Sequence, residues 1–146
     1  MSQQGPWILE NGKYAGQSLE QLMFKDPQFV HALTIRGSYN GSLVAHAQWL
    51  WKAGKDKALF CPCGKRAKYI VLYQDGTGDF SVLGAYCQSC AHSAGGNILL
   101  SADFSAVLRV ASWGRKQILD FLKRSFGLNG RITAKKAFAF FAGNGR

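Results

Sequence analysis

The sequence predicts an α+β fold in which short N-terminal helices and a basic C-terminal helical part flank a central β-hairpin. Three observations predict it. Up to Gly54, helix-capping residues stand ahead of apolar positions that recur at three- and four-residue spacing. From Ala58 that spacing gives way to short runs rich in β-branched and aromatic residues around a turn signal. After Asn97 the caps and the helical spacing return. The segments expected are 1–57, 58–97 and 98–146, joined in one compact unit. A 146-residue chain that is 47% hydrophobic has the means to bury a core, so a disordered tail is excluded.

The elements follow in order. In "GQSLEQLMF", Ser18 and Gln21 form a capping box, and a short helix is expected to about Lys25. In "KDPQFVHALTIRG", Asp26 suits an N-cap, Pro27 the first helical position and Gly37 the stop. "SLVAHAQWLWKAG" reads as a third helix with Leu43, Val44, Ala47, Leu50 and Trp51 on its core face. "YIVLYQ" and "DFSVLGAY" flank "DGTG" and read as the two strands of a hairpin. "AHSAGGN" is a small-residue loop. A helix capped by Ser101 is expected in "SADFSAVLRVA", another from Ser112 to Gly127, and a last one from Thr133 to Gly143.

The hairpin is bracketed by every cysteine in the chain, Cys61 and Cys63 before it and Cys87 and Cys90 after it. Disulfides need an oxidising compartment, and the opening "MSQQGPWILENGKY" shows no secretory signal. A redox dithiol would use Cys87 and Cys90 alone. A tetrahedral zinc site uses all four, because a hairpin brings its own ends together. The expected element is therefore a zinc-ribbon-like hairpin with a structural Zn²⁺, and Gly64 supplies the left-handed backbone of a knuckle. Four thiolates leave no open coordination position. Asp75 and Asp79 fall at the turn, and His92 reads as a loop residue. No catalytic residue is assigned, and the chain is read as a non-enzyme.

The formal charge is +10, with 18 Lys and Arg against 8 Asp and Glu. A polyanionic partner, DNA or RNA, is the expectation that follows. Lys65, Arg66 and Lys68 sit beside the first cysteine pair, where they also offset the net negative charge of a zinc tetrathiolate. Arg115, Lys116, Lys123 and Arg124 fall largely away from the apolar stripe of Ile118, Phe121, Leu122 and Phe126. These seven residues are the expected nucleic-acid contacts. Trp49 and Trp51 precede Lys52, Lys55 and Lys57; Trp51 belongs to the core stripe and Trp49 is a stacking candidate. No apolar run is long enough to span a membrane, and a cytoplasmic location is expected.

The segment Glu10–Leu33 resembles a small module at the C-terminus of exodeoxyribonuclease X-like proteins, also found in phage and bacterial stand-alone proteins. The matching residues are Gly12, Lys13, Tyr14 and Gly16, then Ser18, Leu19 and Leu22, then Asp26 and Pro27. Ala32 and Leu33 stand where the module usually has a tryptophan. The resemblance implies an accessory nucleic-acid module without catalytic residues. Other protein subunits are expected as partners beside the nucleic acid. A second likeness, architectural only, is to the basic zinc-finger large subunit of type IV CRISPR effector complexes, which would contact target duplex DNA. Two further readings stand beside these: a zinc adaptor that binds only protein, and a small metal-dependent nuclease using His92, Asn97 or the turn acids.

Overall fold

The computed structural model describes residues 5–35, 41–77, 79–110, 114–128 and 130–143. Its elements are α1 (Leu19–Leu22), α2 (Pro27–Ile35), α3 (Gly41–Asp56), β1 (Tyr69–Gln74), β2 (Phe80–Tyr86), α4 (Gln88–Ala91), β3 (Ile98–Ser101), a 3-10 helix (Phe104–Arg109), α5 (Arg115–Ser125) and α6 (Ala134–Phe141). The fold is α+β, as the sequence predicts. No helix among the described residues is long and apolar enough to cross a membrane.

The chain forms two compact units, Met1–Gly54 with Asn129–Arg146, and Lys55–Leu128. This division differs from the three segments read from the sequence. The C-terminal part is split, with α5 in the unit of the sheet and α6 in the unit of the N-terminal helices. The apolar faces explain it. Ala137, Phe140 and Phe141 of α6 are buried, and Phe24 packs its ring against Phe140 and Phe141 at centroid distances of 5.7 and 5.4 Å.

The first unit starts from a turn that its sequence dictates. Gly12 and Gly16 both take φ of 87°, which glycine adopts without strain. Between them Tyr14 turns inward, and its hydroxyl donates to Asp26 Oδ2 at 2.5 Å. Ser18 caps α1 in the expected box, accepting from Gln21 N while Gln21 Oε1 accepts from Ser18 N at 3.0 Å. Leu19 and Leu22 are completely buried. So is Glu20, which no apolar pattern foretells. Its carboxylate accepts from Trp7 N at 3.0 Å and pairs with His46 Nε2 of α3 at 2.5 Å. A buried carboxylate survives only when its lone pairs are satisfied in this way. On α3, Ala47, Leu50 and Trp51 are buried as predicted, whereas Leu43 and Val44 are half-buried.

The second unit is built on a three-stranded antiparallel sheet of order β2-β1-β3. The predicted hairpin is there, with β1 paired to β2. The third strand is a correction. Residues 98–101 pair with Tyr69–Leu72 of β1, so Ser101 ends a strand and does not cap a helix. Asp103 is the cap instead, accepting from Ser105 N at 2.7 Å, and the segment that follows is 3-10 and not α-helical. Asn97 fixes the join: its side chain accepts from Gln74 N and donates to Gln74 O, at 2.8 and 2.9 Å. Gly96 passes against β1 so closely that a Cβ there would lie 2.3 Å from Val71 Cγ1. Ile70, Leu72, Phe104, Ile118 and Leu122 have zero exposure and form this unit's core. Ser112, where a helix was expected to begin, and Gly78 of the turn lie outside the described residues; α5 begins at Arg115.

Candidate metal centre and its basic knuckle

The first cysteine pair lies on a tight backbone loop. Cys61 N donates to Lys65 O and Gly64 N donates to Cys61 O, both at 2.8 Å, and Gly64 takes φ of 99°. One step out, Phe60 and Arg66 face each other in an antiparallel bridge, closed by the bond from Ala67 N to Leu59 O at 2.8 Å. The second pair arrives by a different device. β2 ends at Tyr86, Cys87 begins a single helical turn, and Cys90 follows three residues later with Ala91 N bonded to Cys87 O. That spacing places both sulfurs on one side of the turn.

All four Sγ atoms lie within 4.8 Å of one another, and Cys63 Sγ is 3.7 Å from Cys87 Sγ. A tetrahedron with metal–sulfur bonds of about 2.3 Å has edges of about 3.8 Å, so this set closes on one ion with little movement. A disulfide, at about 2.05 Å, would need a different approach. Cys61 and Cys87 are buried, Cys90 is half-buried and Cys63 is exposed.

The thiols perturb one another. Burial pushes Cys61 up, but the backbone N–H groups of Cys63 and Cys87 and the neighbouring thiols outweigh it and hold the group below its ordinary value. The backbone N–H of Cys90 is the main cause that draws Cys87 down to about 6. Cys90 is pushed up to about 12, first by its hydrogen bond to Cys87 and then by those to Cys61 and Cys63. Cys90 is thus raised beside Cys61 and Cys87, which are lowered. A dication at the centre would favour the thiolate at every ligand, and its binding would release protons.

The seven expected nucleic-acid contacts all fall in the Lys55–Leu128 unit. Lys65, Arg66 and Lys68 are exposed. Lys68 Nζ reaches Gln88 Oε1 at 3.3 Å and makes no ion pair among the described residues. The helix residues are less free. Lys116 and Lys123 both approach Asp120, at 2.9 and 3.7 Å. Their charges, with the Lys116 hydrogen bond as the main cause, hold the Asp120 carboxyl below its ordinary value. Arg115 is half-buried, and Arg124 is exposed. The α5 stripe holds at Ile118 and Leu122 and adds Leu119, with Phe121 and Phe126 half-buried.

Other candidates fare differently. Trp49 is not an open stacking platform: its ring lies between those of His46 and Phe138, at 5.4 and 5.9 Å. Asp75 accepts from Thr77 N and Thr77 Oγ1 in the hairpin turn, at 2.8 and 2.6 Å. The Asn97 amide is committed to Gln74. His92 is exposed and closes α4. These side chains do not converge on the four sulfurs; the group of potential metal ligands that does form is the four cysteines alone, among the described residues.

Phe60, at 64%, is the most exposed aromatic side chain among the described residues, and no pattern in the sequence analysis marks it. Its signal was its place: an aromatic residue directly before the first cysteine of a basic knuckle. No protein-family model, no curated protein and no solved structure matches this chain.

Proposed function

We propose that this chain is a non-catalytic, zinc-stabilised basic protein that binds DNA or RNA, as an accessory subunit of a larger nucleoprotein assembly. The observation that carries the reading is the knuckle. Three exposed cations sit on or beside a loop whose backbone is closed by its own hydrogen bonds and whose sulfurs converge on one metal position. Zinc suits four cysteine ligands: it takes tetrahedral thiolate sites, and a full shell leaves no position for an attacking water. Cys61, Cys63, Cys87 and Cys90 would hold it, and its binding would supply folding free energy to a small sheet unit. Rigid placement matters because a cation already held in position loses less freedom on meeting a phosphate. The exposed Arg124 extends the basic surface along α5.

The reading is tested by measuring affinity for duplex DNA, single-stranded DNA and RNA across a salt series, with zinc content measured on the same sample. Affinity should fall with log salt by about 0.9 per phosphate neutralised on duplex DNA. Salt-independent association, or none, would remove nucleic acid and leave the protein-adaptor reading. Hydrolysis of any of these substrates with added Mg²⁺ or Mn²⁺ would restore the nuclease reading.

A further inference from the structure

Beside the knuckle lies an open groove of about 350 Å³, walled by Phe60 and Pro62 on one side, Leu83 and Tyr86 of β2 on another, and Phe121 and Ser125 of α5. It is formed entirely within the Lys55–Leu128 unit. Phe60 and Leu83 are exposed, at 64% and 38%; Tyr73 and Leu99 of the same unit are exposed too but do not line the groove. No acidic residue lines it.

The backbone says what stands next to Phe60. The bonds on either side of the Phe60–Arg66 bridge run from Cys61 N to Lys65 O and from Ala67 N to Leu59 O. The two residues are therefore a non-hydrogen-bonded antiparallel pair, the kind whose side chains share one face and stand closest together, with Cα atoms about 4.5 Å apart. An exposed phenyl ring and an exposed guanidinium are thus held side by side on the face that borders the groove. On α5, Ser125 lines the groove and its sequence neighbour Arg124 is exposed.

We propose that this groove receives an unpaired base of a single-stranded nucleic acid, with Phe60 as the stacking platform and Arg66 on the adjoining phosphate. The inference deepens the nucleic-acid reading and rests on it. Single-strand binders combine a cationic track with aromatic faces on which bases stack. A groove at the lower end of ligand-pocket volumes suits one flat heterocycle. A protein partner would need roughly 800 Å² of its own surface covered, which one ring and its neighbours do not provide.

The test compares wild type, Phe60→Ala, Phe60→Leu and Phe60→Tyr, each zinc-loaded, on oligo(dT), oligo(rU) and a blunt DNA hairpin whose two strands are joined by a non-nucleotide linker, so that it holds no unpaired base. Phe60→Leu keeps apolar bulk without a ring, and Phe60→Tyr keeps the ring. Loss of one stacked base should weaken single-strand binding about 5- to 150-fold in the Ala and Leu variants. The Tyr variant should bind oligonucleotide as wild type does, and hairpin affinity should be unchanged throughout. Phe60 is mostly exposed, so circular dichroism and zinc content should match wild type in every variant. Oligonucleotide affinity unchanged in the Ala and Leu variants overturns the stacking site, as does an equal loss on oligonucleotide and hairpin. If wild type binds the hairpin with a normal salt slope in that case, the phosphate-contact reading stands and only the stacking site falls. If nothing binds, both fall.

Discussion

Gly64→Ala isolates the contribution of the knuckle backbone to metal affinity. Gly64 has φ of 99°, and no heavy atom lies within 4 Å of where a Cβ would stand. Alanine therefore meets no neighbour, and its whole cost is backbone strain. A non-glycine residue in so sparsely populated a region costs about 1–3 kcal/mol. The two bonds that close the loop, Cys61 N to Lys65 O and Gly64 N to Cys61 O, pin the conformation that brings Cys61 and Cys63 to the other two sulfurs. Metal binding holds the loop to that conformation, so whatever strain a metal-free alanine loop sheds by relaxing appears as lost zinc affinity, up to the full amount. That energy corresponds to roughly 5- to 150-fold weaker zinc binding. Competition against a chromophoric chelator measures it. Gly12→Ala is the control, because Gly12 has φ of 87°, equally open surroundings and a place in the other unit. It should lower thermal stability and leave zinc affinity alone. Equal zinc affinity in Gly64→Ala and wild type, or equal losses in the two variants, would refute the reasoning.

Two further outcomes are expected. Cys87→Ser should lose the metal and the circular-dichroism signal of the sheet, since metal binding and folding are coupled in so small a unit; a metal-free variant with a wild-type spectrum would contradict this. Tyr14 is pushed from 10.0 to about 12 by its hydrogen bond to Asp26, then by burial and the Asp26 charge. A raised phenol stabilises fully below its unfolded value and loses that contribution as pH rises through the folded one. Tyr14→Phe should therefore be less stable than wild type by about 1.5 kcal/mol at pH 8, with the gap closing between about pH 10 and 12 in denaturant titrations. A gap that stays constant to pH 12 would exclude the hydrogen bond as its source.

What could be read in the sequence was whatever depends on local chemistry. Ser18 with Gln21, Thr133 and Gly64 announce themselves because a cap or a left-handed turn is made by the residue and its near neighbours. The cysteine pairs were legible for the same reason: a hairpin between them forces a meeting. β3 was not. "ILLS" is three apolar residues and a serine, and its strand identity comes from β1, which pairs with it across the small-residue loop. Once Ser101 is in that ladder it is unavailable as a cap, and the capping passes to Asp103. Glu20 reads as a surface helix residue until α3 delivers His46 to it. Phe60 escaped because its partner, Arg66, is chosen by the knuckle and by no periodic pattern. The division of the C-terminal helices between two units likewise depends on which apolar faces meet, which spacing alone does not disclose.

Affinity for duplex DNA as a function of salt, measured for zinc-loaded wild type and for Lys65→Glu with Arg66→Glu, bears most directly on whether the knuckle is a phosphate contact. Both side chains are exposed, so the exchange should leave zinc content and circular dichroism unchanged. If each contacts one phosphate, the slope of log affinity against log salt should flatten by about 1.8, and binding at low salt should weaken sharply. Identical slopes and affinities at every salt concentration would contradict the proposal. The positive charge of the chain would then serve something other than this knuckle.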